Sequence, residues 1–457
     1  MADAPAVADV RRAVAVLMPR ALDDLAALVA IPSVADDRLF PRAECERAAA
    51  WVADALRAEG IDDARPVPTP DGSSTVLGHR AGPAGTPTVL LYAHYDVQPP
   101  LRDEAWLSPP FTLTPRDGRL YGRGAADCKG NVVAHLTALR ALRQLLGELP
   151  VGVRVAIEGS EEQGTGGLEE YVRAHPEHFA ADAVLVADTG NATLGRPTLT
   201  VSLRGATNVV VRVETMAGEV HSGMFGGAAP DALAALVAIL ATLRDAQGGT
   251  TVRGLDATGT WDGVAYDAEQ FRHDAGVLAD VRLLGGASVA DTLWARPTVT
   301  VLGLDAPPVV GSAAAVQPRA AARLNLRVPP GTDARNARDA LVAHVLDVAP
   351  WGARVTVETE PVGQPFRART DGPVFATLSQ ALADAFDAPT VTAGQGGSIP
   401  LCNVFAETLP DAAVVLLGVE EPACLIHAPN ESVDPREIER LAVGEALFLA
   451  RLADRSH

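Results

Sequence analysis

The sequence predicts an α/β protein, a mixed-sheet domain with helices on both faces that is interrupted by an inserted α+β domain. Short β-branched runs alternate with amphipathic helical patterns up to about residue 190, and this alternation indicates a sheet covered by helices. At 457 residues the chain exceeds what one hydrophobic core usually supports. Its content of 48% hydrophobic residues with scattered charge is typical of a globular protein.

The individual elements follow from local periodicity. An amphipathic helix is predicted at the N-terminus, and further helices are predicted near 41–59, 130–147, 230–244 and 333–347. Strands of the first part are predicted at 88–94, 153–159 and 183–188. Between about 198 and 368 the pattern changes to many strands with two helices, after which a helix, a strand and a helix follow. We therefore predict one domain from residues 1–197 and 369–457 and an inserted domain from residues 198–368.

Composition excludes several classes of function. A formal net charge of −19 without any basic run disfavours nucleic acids and anionic membranes as partners. Charges interrupt every apolar run near the N-terminus, so neither a membrane span nor a signal peptide is expected there. The four cysteines have no C-x-x-C spacing, which favours a reducing, cytoplasmic location. Lys129 is the only lysine in a chain that otherwise uses arginine, which indicates a requirement that a guanidinium does not meet.

Potential metal ligands follow three of the predicted strands. The first strand ends at His94, the second is followed by the pair Glu161-Glu162, and the third ends at Asp188. In open α/β sheets, functional sites form at the carboxyl ends of strands, so these side chains are expected to converge. Taken singly, each carboxylate is better explained as a helix cap or a solvated loop residue.

Other polar residues near these strands allow two interpretations each. Asp96 has the spacing of a carboxylate that orients a metal-bound His94, although His-x-Asp pairs are also common on surfaces. Adjacency would let Glu161 and Glu162 serve as a general base and a metal ligand beside one water molecule. Asp127, in a Gly-rich turn, fits a helix N-terminus as well as a metal site.

Missing motifs narrow the enzyme classes. The sequence has no H-E-x-x-H helix, no G-x-S-x-G elbow, no Walker loop and no G-x-G-x-x-G after a strand. This excludes helix-borne zinc proteases, serine α/β-hydrolases and nucleotide enzymes as leading candidates. Carboxylate and imidazole ligands without thiolate suit a catalytic zinc, manganese or cobalt site.

Seven segments, in order along the chain, resemble the aminoacylase and carboxypeptidase G-type metallopeptidase family, and within it the carnosinase-like dipeptidases. The segments are LLYAHYDVQPP, LYGRGAADCKG, EGSEEQGTGG, LVADTGN, GEVHSGMFGG, GQGGSIP and IHAPNES. The resemblance implies that His94 and Asp188 hold one metal ion, that Glu162 and His427 hold the other, and that Asp127 bridges them. It further implies that Glu161 is the general base, that Asp96 orients a ligand histidine, and that the peptide bond after Asp127 is cis.

The resemblance also gives the inserted domain a role as lid and dimerisation domain. It implies that His221 reaches the active site of the neighbouring subunit, and that Arg327 and Ser398, with Gly397 beside it, hold the terminal carboxylate of the substrate. One stretch departs from the family pattern: residues 312–318 are SAAAVQP, where relatives carry a Lys-Thr-Val-Ile-Pro-like segment. Substrate preference inferred from the family is less secure for that reason.

The resulting expectation is a cytoplasmic, homodimeric, metal-dependent dipeptidase that acts on small peptides. Two divalent ions are expected, zinc first, with manganese or cobalt as alternatives, and a hydroxide between them would attack the scissile carbonyl with Glu161 as base. Two other functions remain open: a deacylase of N-acyl amino acids, and a catalytically silent binding protein.

Overall fold

The computed structural model describes residues 4–454. The helices, in chain order, are α1 Val7–Val29, α2 Ala43–Ala58, α3 Lys129–Leu146, α4 Gly167–Ala174, α5 Ser222–Phe225, α6 Ala232–Ala241, α7 Ala268–Asp274, α8 Ala334–Asp347, α9 Pro373–Phe386, α10 Pro400–Thr408 and α11 Pro435–Asp454. The strands are β1 Arg65–Pro68, β2 Ser74–Arg80, β3 Thr88–His94, β4 Thr114–Arg116, β5 Arg119–Tyr121, β6 Gly152–Glu158, β7 Ala183–Ala187, β8 Thr198–Leu203, β9 Gly205–Glu214, β10 Val220–His221, β11 Thr298–Asp305, β12 Ala315–Val316, β13 Arg319–Val328, β14 Arg354–Gly363, β15 Phe366–Arg367, β16 Val391–Gln395, β17 Ala413–Leu417 and β18 Ser432–Val433. Within the described residues, none of these helices combines the length and the apolarity needed to cross a membrane.

The chain forms two compact units. The larger unit contains the chain up to Val201, Ala368–Ala393 and the chain from Pro400 onward, and the smaller unit contains Ser202–Arg367 and Gly394–Ile399. The first boundary therefore falls inside β8 rather than before it, because Thr200 still pairs with β17 of the large sheet. Sequence periodicity gives no sign that Gly394–Ile399 belongs to the smaller unit, since that association rests on contacts with residues far away in the chain.

The larger unit is built on a mixed sheet. Its strands lie in the order β1-β2-β6-β3-β7-β17-β8, and β3 pairs in parallel with both β6 and β7. Four consecutive residues of β3, from Val89 to Tyr92, are fully buried, as expected for a strand that is covered on both faces. Helix α3 packs against α1 and α11 and is buried along most of its length.

The smaller unit is built on an antiparallel sheet in the order β11-β13-β9-β14. Alternate residues of β9, namely Val209, Val211 and Val213, are fully buried, which fits a strand with one face in the core. Helices α6 and α8 pack on this sheet. A separate two-stranded sheet joins β10 to β12.

A buried ion pair fixes the loop that precedes α3. Glu431 accepts hydrogen bonds from the backbone N–H groups of Gly124, Ala126 and Asp127 at 3.0–3.1 Å, and Arg123 Nη1 lies 2.7 Å from its carboxylate. Both charged side chains are shielded from solvent. The loop ends in a cis peptide bond between Asp127 and Cys128. One carboxylate thus holds three backbone N–H groups within residues 124–127, just before the helix.

We expect Glu431→Gln to lower the free energy of unfolding by about 3–5 kcal/mol, since it leaves Arg123 as a buried charge without its counter-ion. The amide would also place N–H donors against backbone N–H groups. Urea denaturation followed by circular dichroism measures the effect. Glu439→Gln, at a partly exposed position of α11, is the matched control and should stay within about 0.5 kcal/mol of the parent protein. Equal stability of the two variants would contradict the structural role of Glu431.

Candidate metal centre

Three neighbouring strands deliver ligand-type side chains to one edge of the large sheet. His94 is the last residue of β3, Asp188 follows β7, and Glu161 and Glu162 lie in the turn after β6. These strands run parallel, so their carboxyl ends share an edge. His94 Nε2 lies 3.1 Å from Asp188 Oδ1. The structure thus brings together residues that the sequence placed at separate strand ends.

Asp127 lies between two groups of potential ligands. Its Oδ1 atom is 3.0 Å from His94 Nε2, and its Oδ2 atom is 3.0 Å from His427 Nε2. His427 Nε2 is in turn 3.1 Å from Glu162 Oε2. One group therefore consists of His94, Asp188 and an Asp127 oxygen, and the other of His427, Glu162 and the second Asp127 oxygen.

The chemistry of the donors fits two divalent cations. A tetrahedral ion with bonds of about 2.1 Å holds neighbouring donor atoms about 3.4 Å apart, close to the 3.0–3.1 Å separations in both groups. Cys128 Sγ lies near His94 and Asp188. Burial raises the pKa of this thiol to about 12, and Sγ donates to Ala187 O at 3.0 Å. A neutral thiol engaged in this way is a poor ligand, so the donor set is imidazole and carboxylate.

The electrostatics of this cluster favour a positive charge beside its carboxylates. Burial, followed by the charge of Asp188, raises the pKa of Glu161 well above its usual range. Burial likewise raises the pKa of Glu162 and of Asp188. Asp127 differs, because hydrogen bonds from His427 and His94 outweigh burial and lower its pKa. The hydrogen bonds that His427 makes to Asp127 and to Glu162 raise the pKa of His427 to about 10.

Asp96 has a wider structural role than the sequence indicated. Its backbone oxygen lies 3.1 Å from His94 Nδ1 and its Oδ1 atom 3.4 Å from the same nitrogen. Its two carboxylate oxygens also accept the backbone N–H groups of Glu161 and Glu162 at 3.2 and 3.0 Å. Asp96 thereby fixes both the imidazole and the turn that carries the glutamates.

Two residues that position ligands were missed by the sequence analysis. Gln98 Nε2 donates to Glu162 Oε2 at 2.9 Å, and Glu431 holds the backbone at Asp127. Both lie inside segments that carry the family resemblance, but neither ends a strand nor has an informative spacing. Their roles depend on contacts across 64 and 304 residues, which periodicity does not reveal.

The other predicted site residues belong to the smaller unit. His221 is exposed at the start of α5, its Nδ1 accepts from Gly223 N at 3.1 Å, and it pairs with Ala315 of the divergent stretch. Arg327 lies on β13, where Nη1 donates to Gly396 O and Nε to Asn325 Oδ1, both at 3.2 Å. Ser398 and Gly397 lie next to Gly396 in the segment that the smaller unit contains.

Comparison with known proteins identifies the family of this chain. Residues 90–451 match peptidase family M20/M25/M40. The chain is 45% identical over 408 residues to the cysteinylglycine-S-conjugate dipeptidase of Corynebacterium striatum, a match that covers 88% of this chain and 89% of that protein. The fold is similar to the crystal structure of human carnosine dipeptidase 1, with a TM-score of 0.81, 26% identity, and coverage of 99% of this chain and 100% of the other.

A more distant structure extends the comparison of the fold. A dinuclear metal-binding peptidase of the M20 family from Bacillus subtilis has the same fold, with a TM-score of 0.59, 15% identity, and coverage of 96% of this chain and 99% of that one. The predicted fold class and the predicted enzyme class, a dipeptidase-type metallopeptidase, are confirmed by these comparisons. The chain therefore belongs to peptidase family M20/M25/M40, within the branch that contains these dipeptidases.

Proposed function

We propose that this protein hydrolyses the peptide bond of dipeptides at a two-metal centre. The proposed ligands are His94, Asp127, Glu162, Asp188 and His427. The observation that carries the proposal is the position of Asp127, whose two oxygens each lie 3.0 Å from an imidazole of a different ligand group. A carboxylate that only capped α3 would have no reason to contact two histidines.

Zinc is the proposed metal, with manganese or cobalt as alternatives, because imidazole and carboxylate donors suit all three. When bound, such ions polarise a carbonyl and lower the pKa of water from about 15.7 toward 7. The site contains more buried carboxylates than imidazoles, and the resulting negative charge supports the binding of cations there.

Glu161 is the proposed general base. It would take a proton from the attacking water at a carboxylate oxygen and deliver it to the nitrogen of the leaving amine. Its raised pKa, caused first by burial, supports this exchange, since a carboxyl group with an ordinary pKa is a weaker base near neutral pH. Asp96 holds the Glu161 backbone and so directs this side chain.

In the smaller unit, Arg327 is the proposed anchor for the terminal carboxylate of the substrate, together with Ser398 and the Gly397 backbone. Arg327 has two neutral acceptors, Gly396 O and Asn325 Oδ1, and burial lowers its pKa. No described carboxylate forms an ion pair with it, whereas a planar guanidinium matches a carboxylate in bidentate fashion. The substrate would supply that partner.

We also infer a homodimer formed through the smaller unit. Strand β11 lies at the edge of its sheet, and Val301, Leu302 and Leu304 are each about half exposed. Met224 and Phe225, next to His221, are exposed as well. An apolar edge strand is normally covered by another chain or element. In this arrangement His221 would reach the metal centre of the other subunit and would stabilise the oxyanion that forms when water attacks the scissile carbonyl.

A reducing, cytoplasmic location is also proposed, supported by the four cysteines, each of which is a free thiol. Ala315 and Val316, within the stretch that departs from the family pattern, pair with the strand of His221, so a shift of specificity toward N-acyl amino acids would arise in this stretch.

A metal and substrate screen tests the proposed reaction. After chelation, we expect activity to be lost and to return with about two equivalents of zinc, manganese or cobalt per chain. Cysteinylglycine S-conjugates and carnosine, the substrates named for the relatives, should be hydrolysed in preference to N-acetyl amino acids. Hydrolysis of N-acetyl amino acids alone would establish the deacylase, and two bound metals without any turnover would establish the silent binding protein.

Replacement of Glu161 separates catalysis from metal binding. We expect Glu161→Gln to lower kcat by about 10²-fold or more, the usual size of acid–base catalysis, while metal content stays at the parental level. The neighbouring Glu162→Gln is the matched variant and should lose metal as well as activity. Mass spectrometry of the metal content beside steady-state kinetics distinguishes the two, and parental turnover in Glu161→Gln would remove this residue from its role.

Complementation tests the shared active site. His221→Ala and Glu161→Gln should each be nearly inactive as homodimers with metal bound. A mixed dimer contains one active site in which both residues are intact. Mixed dimers, co-expressed with a different affinity tag on each variant and purified on both tags, should therefore have up to about half of the activity of the parental dimer. Purified mixed dimers that remain inactive would show that His221 does not act across subunits.

A further inference from the structure

The smaller unit contains a cavity of about 500 Å³, and none of the residues that line it is among the predicted site residues. Its lining comes entirely from residues 204–300, and its walls are largely apolar, with Phe271, Val281, Leu283, Leu284 and Leu293 among them. This volume is within the range of about 300–1,000 Å³ that small-molecule sites occupy. Such sites combine an apolar lining with a few polar groups that orient the ligand.

The polar group that distinguishes this cavity is the guanidinium of Arg204. Arg204 is only 8% exposed, and its Nη1 donates to Thr298 Oγ1 at 3.0 Å, with both residues on the cavity wall. Its Nε atom is buried without any hydrogen-bond partner. Burial lowers the pKa of Arg204 to about 10, with the charge of Arg327 as the second cause, so the group remains cationic at neutral pH.

The described part of the chain supplies no counter-ion for this charge. Arg204 N donates a hydrogen bond to Gln395 O at 3.4 Å, and the Gln395 side chain is an amide rather than a carboxylate. The Gln395 Oε1 atom is itself buried without a partner. No carboxylate among residues 4–454 forms an ion pair with Arg204, and the only charge acting on it is the like charge of Arg327. A buried, unpaired cation is costly, which favours binding of an anion from outside.

Gly396 allows the guanidinium to occupy this position. A Cβ atom on this glycine would lie 3.2 Å from Arg204 Nη2, tighter than most contacts of a side chain. The backbone therefore packs closely against the Nη2 side of the guanidinium and brings no carboxylate to it.

We propose that this cavity binds a small amphipathic monocarboxylate, whose carboxylate pairs with the guanidinium of Arg204 and whose apolar chain lies against the leucine, valine and phenylalanine walls. Two sources share this chemistry: a free aliphatic carboxylic acid, and the C-terminal residue of a dipeptide with an apolar side chain, in which case Arg204 rather than Arg327 would hold the terminal carboxylate. Every residue that lines the cavity belongs to the smaller unit, and none of them is a proposed metal ligand.

Calorimetric titration of the metal-loaded protein with hexanoate, octanoate and decanoate tests the proposal. We expect saturable binding that tightens about fourfold for each added methylene, the usual gain for burying this group. Octanamide, which has the chain but no charge, should bind at least tenfold more weakly than octanoate. Absence of saturable binding, or equal affinity for octanoate and octanamide, would overturn the proposal.

Variants locate the site. Arg204→Gln should weaken octanoate binding at least tenfold, whereas Arg212→Gln, which removes the same charge from an exposed pair with Glu358, should leave it unchanged. Gln395→Glu is nearly isosteric and adds a negative charge on the residue whose backbone oxygen accepts Arg204 N, so it too should weaken octanoate binding at least tenfold. If Arg204→Gln does not fold, the affinity of Gln395→Glu for octanoate tests the location of the site instead. Parental affinity in folded Gln395→Glu and Arg204→Gln proteins would place the ligand elsewhere.

Steady-state kinetics distinguish the two sources. If the cavity receives the C-terminal residue of the substrate, octanoate should raise KM for a dipeptide that ends in leucine without changing kcat. If the natural ligand is a free carboxylic acid at a separate site, KM should stay constant at octanoate concentrations that saturate the calorimetric site. Either result supports the binding site, and the binding measurement stands even if the proposed dipeptidase reaction fails.

Discussion

Repulsion among carboxylates is the constraint that the larger unit has to satisfy. Asp127, Glu161, Glu162 and Asp188 are gathered around only two imidazoles, and burial raises the pKa of three of these four groups. Without added positive charge, such a cluster would take up protons or move apart. The proposed divalent cations would remove the repulsion and would use the same oxygens as ligands, so metal binding and the folded geometry of this region are expected to stabilise each other.

Hydrogen bonds from the backbone keep the cluster in place. Asp96 accepts the N–H groups at the start of the glutamate turn, and Glu431 accepts three N–H groups of the loop that presents Asp127. Arg123 neutralises Glu431 and also donates to Pro99 O and Ala428 O at 3.3 Å. The same guanidinium thereby connects the loop before α3 with the segment next to His427. Asp127 and His427, two proposed ligands that lie 300 residues apart in the sequence, are positioned by one buried ion pair.

The sequence predicted those parts of the site that depend on strand periodicity. His94 and Asp188 follow recognisable apolar runs, and parallel pairing brings them to one edge. Asp127 and His427 had no such support, because their contact joins a glycine-rich turn to a distant loop, and only the family resemblance indicated them. Glu431 and Arg204 were missed for the same reason: each is defined by a partner, or by the lack of one, that only the folded chain reveals. The predicted boundary before residue 198 also differed from the observed one, since β8 pairs with β17 in the large sheet and continues into the smaller unit.

The choice between lysine and arginine follows the same electrostatic logic. Lys129, the only lysine, is completely buried, and burial lowers its pKa to about 7 while its Nζ donates to Leu28 O and Ile31 O at 2.9 and 2.7 Å. An amine in such surroundings can lose its charge and still serve as a donor to carbonyl groups. Arg204 is almost as deeply buried but keeps a pKa of about 10, so its charge persists where a lysine would be partly neutral. A buried side chain that binds an anion has to remain charged before the anion binds. Arginine meets this condition because its pKa stays well above neutral pH even when it is buried.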